Sequence, residues 1–146
     1  MTKTMPSLDF KTLQYSYKTG YTSTLEVIKN ILLEIEDRGQ DGVWIYKLPA
    51  TDILSRAEEL AVLTQMERDR LPLYGLPFTV KDCIDIAGLP TTSACPDFSY
   101  IAPKTHQAVQ AALDAGAILL GKTNMDQFAT GVVGVRTPYG IARNPF

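Results

Sequence analysis

Apolar residues recur at two different periods along this chain. After Ser23-Thr24-Leu25-Glu26, Leu25, Ile28, Ile31, Leu32 and Ile35 return every three or four positions, while Glu34, Glu36 and Asp37 stay off that stripe. Such a repeat lines one face of a helix. Ser23 with Glu26 three residues on is a capping box, in which a hydroxyl and a carboxylate each satisfy a backbone N–H. Gly39 supplies the residue that closes the helix. The spacing therefore predicts a helix over 24–38. Residues 43–48 are short, aromatic and β-branched, which predicts a strand or extended link before Pro49. Thr51 or Asp52 is placed to cap a second helix with the stripe Ile53, Ala57, Leu60, Ala61 and Thr64, ending before Pro72. Residues 1–20 are polar and irregular and read as an arm or a short helix.

After the Gly75-Leu76-Pro77 turn the period shortens to two. Phe78 and Val80 share one strand face; Thr79, Lys81 and Cys83 share the other. A loop rich in Gly, Pro, Thr and Ser runs from Gly88 to about Pro103. Thr105 is then placed to cap a helix with Ala108, Val109, Ala112 and Leu113 inward, ended by Gly116. Ala117 to Gly121 reads as a strand. Strand, helix and strand at this spacing form a βαβ unit, which implies parallel pairing. Asn124 to Thr130 reads as helical, and Gly131, Gly134, Pro138 and Gly140 make a loop.

Charge sharpens the division. The chain has 146 residues, 45% hydrophobic and 21% charged. Residues 1–71 carry 9 bases and 11 acids; residues 72–146 carry 5 of each and seven of the nine prolines. A charge-poor stretch cut by Pro and Gly fits interior strands joined by tight loops. With a net charge of −2 there is no basic field for nucleic acid and no polybasic stripe for a membrane. The apolar run Ala117–Leu120 is far short of the roughly 20 residues that span a bilayer. Lys3 and Pro6 are followed by no apolar h-region, so no secretory signal is expected. Two cysteines, Cys83 and Cys95, then read as reduced thiols of a cytoplasmic protein. One histidine and no Cys-x-x-Cys or His-x-x-x-His pair predict no metal site; no cofactor is expected either.

Several residues carry candidate chemistry. Lys81 lies on a strand, where desolvation removes charge from a lysine and a neutral lysine is a competent general base. Spacing alone favours a plainer role, an edge lysine facing water. Asp82 is not its partner, because strand neighbours point to opposite faces. Lys122 follows a strand, where functional loops of parallel sheets sit; a structural turn with Asn124 as helix cap fits equally. The letters from Gly116 to Gly121-Lys122-Thr123 match a phosphate loop, but residues 117–121 read as strand where that motif needs a loop. Cys95 with His106 has the types of a thiol nucleophile and its base; a loop thiol and a histidine at a helix N-terminus is the stronger reading. Asp82, Asp85 and Asp97 read as turn caps rather than metal ligands. Trp44, Tyr46 and the other aromatics read as core or rim, since no basic residues interleave with them.

Residues 73–82 (Leu-Tyr-Gly-Leu-Pro-Phe-Thr-Val-Lys-Asp), 88–95 (Gly-Leu-Pro-Thr-Thr-Ser-Ala-Cys) and 115–131, with Gly121-Lys122-Thr123-Asn124-Met125-Asp126-Gln127-Phe128-Ala129-Thr130-Gly131, together resemble the amidase signature family. Within it, residues 94–98, 126–131 and 136–140 resemble the branch that hydrolyses allophanate in urea degradation. The resemblance is specific over 71–146 and loose before. It implies an α/β class: the N-terminal part of an α/β/α fold, helices followed by a βαβ unit of a mixed sheet. It implies one incomplete domain over 1–146, with a helical portion at 1–71 and the start of the core sheet at 72–146.

The family's triad is serine, cis-serine and lysine, and Lys81 matches the lysine, the terminal base. By position Gln127, Ala129, Thr130 and Gly131 would line the pocket for a small-molecule amide, and a homodimer is a family expectation. Both family serines follow the Asn-Pro seen here at Asn144-Pro145. The six serines present, Ser7, Ser16, Ser23, Ser55, Ser93 and Ser99, lie in no Gly-Ser-Ser setting. The chain is thus expected to hold the base without the nucleophile, to be inactive alone, and to leave an apolar strand edge or face uncovered. The alternatives are a non-catalytic binding or regulatory protein and a piece of another amidase or of a tRNA-dependent amidotransferase.

Overall fold

The computed structural model describes residues 6–143; the expectation attached to Asn144-Pro145 lies outside the described residues. In chain order the elements are α1 (Phe10–Lys18), α2 (Thr24–Arg38), β1 (Trp44–Lys47), α3 (Ala50–Ala61), the single turn α4 (Gln65–Arg68), β2 (Pro77–Lys81), β3 (Pro90–Thr91), β4 (Tyr100–Ile101), α5 (Gln107–Asp114) and β5 (Ile118–Thr123). They fall into two compact units that interleave in sequence. One holds the chain up to Arg38, Pro49–Pro77 and Ala112–Ile118; the other holds Gly39–Leu48, Phe78–Ala111 and the chain from Leu119 on.

The first unit is helical. α2 begins at the capping box: Ser23 Oγ accepts the Glu26 N–H at 3.1 Å and Glu26 Oε2 accepts the Ser23 N–H at 3.0 Å. Its buried face is Thr24, Val27, Ile28 and Ile31, packed on α3, which buries Ile53, Ala57 and Leu60. Leu25, expected on that face, is half-buried, and Val27 takes its place. The buried Thr24 hydroxyl donates to the Ala57 carbonyl at 2.8 Å and ties the two helices. α3 is not capped by Thr51 or Asp52. It starts behind Pro49, whose φ near −53° is preset for a helix entrance, and the Thr51 hydroxyl donates to Asp52 instead. The stripe stops at Ala61, because Thr64 caps α4 in a second capping box with Glu67. Tyr17 and Tyr74 meet edge to face at 5.6 Å and donate to the Gly75 and Leu60 carbonyls. Burial raises both phenols above their ordinary range. Gly75 has φ +68°, and a Cβ there would lie 2.6 Å from Thr24 Cγ2 and 2.8 Å from Tyr17 Cε2, so only glycine fits.

The second unit is built on a three-stranded sheet of order β1-β5-β2. β1 runs antiparallel to β5. β2 and β5 advance together: the Ile118 N–H donates to Leu76 C=O at their start and the Asp82 N–H to Thr123 C=O at their end. That pairing is parallel with α5 as the crossover, as the βαβ spacing predicts, and the antiparallel β1 makes the sheet mixed, as the family resemblance implies. Gly121 lets β1 close in, because a Cβ there would overlap the Tyr46 carbonyl oxygen.

Three local expectations fail here. The Thr105 hydroxyl accepts the Ala87 N–H, and His106 Nδ1 accepts the Ala108 N–H at the start of α5, so the cap lies one residue later. Of the inward set only Val109 is fully buried, and Ala108 is exposed. Residues 124–130 form no α-helix beyond a 3-10 turn at Gln127–Ala129, with Phe128 and Ala129 at φ +51° and +56°. The cause is side-chain competition for backbone groups. Asn124 Nδ2 donates to the Gly42 and Gly140 carbonyls, and the Asp126 carboxylate collects N–H groups of Val133, Gly134 and Arg136.

Candidate active-site segment

Lys81 is the last residue of β2, and its side chain is exposed. The strand alternation that exposes it buries Val80 and Asp82. The chain then turns at once, with the Ile84 N–H donating to Lys81 C=O at 2.9 Å. Asp82 is fully buried. Its Oδ2 accepts the Thr92 N–H at 3.0 Å and the Thr92 hydroxyl at 2.5 Å. Its Oδ1 takes no hydrogen bond but lies 3.3 Å from Lys122 Nζ, so that contact is ionic. Lys122, also fully buried, donates to the Pro90 carbonyl and the Thr91 hydroxyl, both at 2.7 Å. Two charges out of water persist only when paired and hydrogen-bonded in this way.

Neither reading of Lys122 holds: it lies inside β5 rather than after it and pairs with Asp82, and Asn124 caps no α-helix. The phosphate-loop pattern fails because residues 118–123 are strand. Asp82 is an interior anchor rather than a turn cap, a role that its motif does not disclose. The available signal is its place two residues from Val80, on the inward face.

Segment 90–94 links this turn to the 127–131 stretch, expected from the resemblance to line a pocket. Ser93 and Ala94 are left-handed, with φ +51° and +58°. That conformation turns the Ser93 carbonyl to the Phe128 N–H at 3.0 Å and the Ala94 carbonyl to Gln127 Nε2 at 3.3 Å. Paired left-handed residues cost backbone energy and persist where surrounding bonds hold them. Gln127 is half-buried, Ala129 and Thr130 are exposed, and Gly131 is half-buried. A Cβ on Gly131 would overlap the Asp126 carboxylate. The backbone N–H of Arg136, then those of Gly134 and Val133, hold the Asp126 carboxyl below its ordinary pKa.

Asp85 accepts the Thr91 and Tyr100 hydroxyls, each at 2.8 Å, and the second of these bonds raises the Tyr100 phenol. Among the described residues no group of three or more His, Cys, Asp or Glu is placed to hold a metal. Cys83 is exposed, Cys95 is half-buried, and neither forms a disulfide. Among the described residues no helix is long and apolar enough to cross a membrane.

A family model described as Amidase matches residues 26–146. Urea amidolyase of Saccharomyces cerevisiae is 42% identical over 128 residues, covering 88% of this chain and 7% of that protein. A mitochondrial glutamyl-tRNA(Gln) amidotransferase component of Ornithorhynchus anatinus is 32% identical over 143 residues, covering 97% of this chain and 27% of that protein. The solved allophanate hydrolase of Kluyveromyces lactis superposes with a TM-score of 0.67 at 44% identity, covering 80% of this chain and 19% of that one. The chain thus spans well under a third of each of these proteins.

Proposed function

This chain belongs to the amidase family, and from that premise we propose that it is the lysine-bearing part of an amidase-type hydrolase acting on allophanate. The observation that carries the reading is Lys81: an exposed amine at the end of a strand whose next residue is clamped in the interior. Over alignments spanning most of this chain, the 42% identity to the Saccharomyces cerevisiae urea amidolyase against 32% to the Ornithorhynchus anatinus amidotransferase component supports the choice of substrate.

In the family's scheme a serine attacks the amide carbonyl, ammonia leaves, and water releases the acyl group. Lys81 would be the base that draws the proton along the serine pair, and Gln127, Ala129, Thr130 and Gly131 would line the pocket. None of the six serines has the Gly-Ser-Ser setting that scheme uses, so the nucleophile has to come from further polypeptide. The exposed Val132, Val133, Val135 and Ile141 are apolar side chains that such polypeptide would cover. A cytoplasmic location fits the two unpaired thiols, and homodimer formation belongs to the same reading.

The test is ammonia release from allophanate. The chain alone should give none above the blank. Joined to the serine-bearing remainder of an amidase it should turn over, and Lys81→Ala should cut kcat by roughly 10²–10⁴-fold. Turnover by the chain alone, or a joined enzyme indifferent to Lys81→Ala, would overturn the reading.

A further inference from the structure

We infer that the buried Asp82–Lys122 pair is a positioning device that sets Lys81 and the 127–131 stretch together. The inference rests on the proposed role of Lys81 for its meaning, though not for its test. The bonds form a continuous path. Lys122 Nζ holds Pro90 and Thr91 from β5, and Asp82 holds Thr92 by backbone and hydroxyl. The next two carbonyls, Ser93 and Ala94, hold Phe128 and Gln127. Segment 90–94 is therefore gripped on one side by the residue after Lys81 and on the other grips the start of the 127–131 stretch.

The left-handed backbone of Ser93 and Ala94 fits this function. Those conformations are unfavourable for non-glycine residues, and here they aim two successive carbonyls at one target. A pair kept only to fill the interior would not need its next neighbours strained toward an exposed segment. The charge adds direction. The carboxylate accepts only from donors and the ammonium donates only to acceptors, so the register of 90–92 against β2 and β5 is fixed in a way that apolar side chains would not fix it.

Amide hydrogen exchange on this chain tests the inference without needing turnover, so it can fail or hold independently of the amidase reading. The reporters are the N–H groups of Ile84, Thr92 and Phe128. The references are Leu48 and Asn124, which donate to Leu120 and Val43 in the same unit. In the doubly neutral Asp82→Asn, Lys122→Met variant no uncompensated buried charge remains to unfold the chain. All three reporters should then exchange about tenfold or more faster, while the references stay within about threefold of wild type. Thr92→Val, which removes only the hydroxyl bond to Asp82, should move the same reporters less, and Thr92→Ser should restore them. If the double variant speeds every amide equally, or leaves Phe128 unmoved, the pair is merely structural and the inference is overturned.

Discussion

In the helical unit the interior is Leu13, Val27, Ile28, Ile53, Ala57 and Leu60, and the ion pair described there, Arg56 with Glu59, lies on the surface. In the sheet unit the bulkiest fully buried side chain is a lysine, and its counter-ion is a fully buried aspartate. The contrast separates two ways of specifying a structure. Apolar side chains pull two helices together with little directional demand, and single hydrogen bonds such as Thr24 to Ala57 set the register. A buried ion pair contributes little net energy compared with well-packed apolar residues, but it tolerates one arrangement of its neighbours. The segment proposed for catalysis lies in the unit built the second way.

The comparison breaks most easily at Lys122. Lys122→Met removes the partner of a carboxylate that has no access to water, and should cost about 3–5 kcal/mol, read as a lower urea midpoint. Adding Asp82→Asn should return most of that loss, because the penalty comes from the stranded charge. A loss below about 1 kcal/mol for the single variant would mean that the pair is hydrated, and the contrast would fall. Ile28→Ala in the helical unit should cost about 2–4 kcal/mol through lost burial and the cavity left between α2 and α3. No second deletion should rescue it; a neighbouring truncation should add to the loss. Apolar packing degrades step by step, whereas the ion pair fails when it is halved.

The same difference explains what the sequence disclosed. α2 was legible to its ends, because its cap, its apolar period and its terminating glycine all act within a few residues. β2, α5 and β5 were legible as a βαβ unit for a similar reason. Thr51 and Thr105 were misread as caps, since a hydroxyl near a helix start signals a cap only if no other group competes. Here Asp52 takes one hydroxyl and the Ala87 N–H takes the other. Segment 124–130 has good helix formers, but Asn124 and Asp126 bind backbone groups as far away as Gly42 and Arg136, which no local pattern reveals. In the candidate site, Lys81 was visible through its strand and its motif. Asp82 was visible as a residue unable to pair with Lys81 and as a turn-cap candidate, and its ion pair with Lys122 joins β5 to the turn after β2 across the whole crossover.

Asp126 offers the finest test, because it organises a loop rather than the interior. Its folded pKa lies below the ordinary 3.8, mainly through the Arg136 N–H and then the Gly134 N–H. The sign follows from linkage: a carboxyl depressed in the folded state contributes stability in full above its unfolded pKa. That contribution is lost as pH falls through the folded value. Acidification below 3.8 should therefore release the Val133, Gly134 and Arg136 amides, seen as coupled chemical-shift changes, while the Leu48 and Asn124 amides stay in place. Asp126→Asn should abolish that acid titration and leave the three amides less protected at neutral pH as well. Gln127–Gly131 should loosen with it, since the Ala129 N–H bonds the Asp126 carbonyl and Gly131 packs on its carboxylate. If the three loop amides shift only when the whole sheet unit unfolds, Asp126 belongs with Asp82 as an interior anchor, and the distinction between an anchored turn and a templated loop disappears.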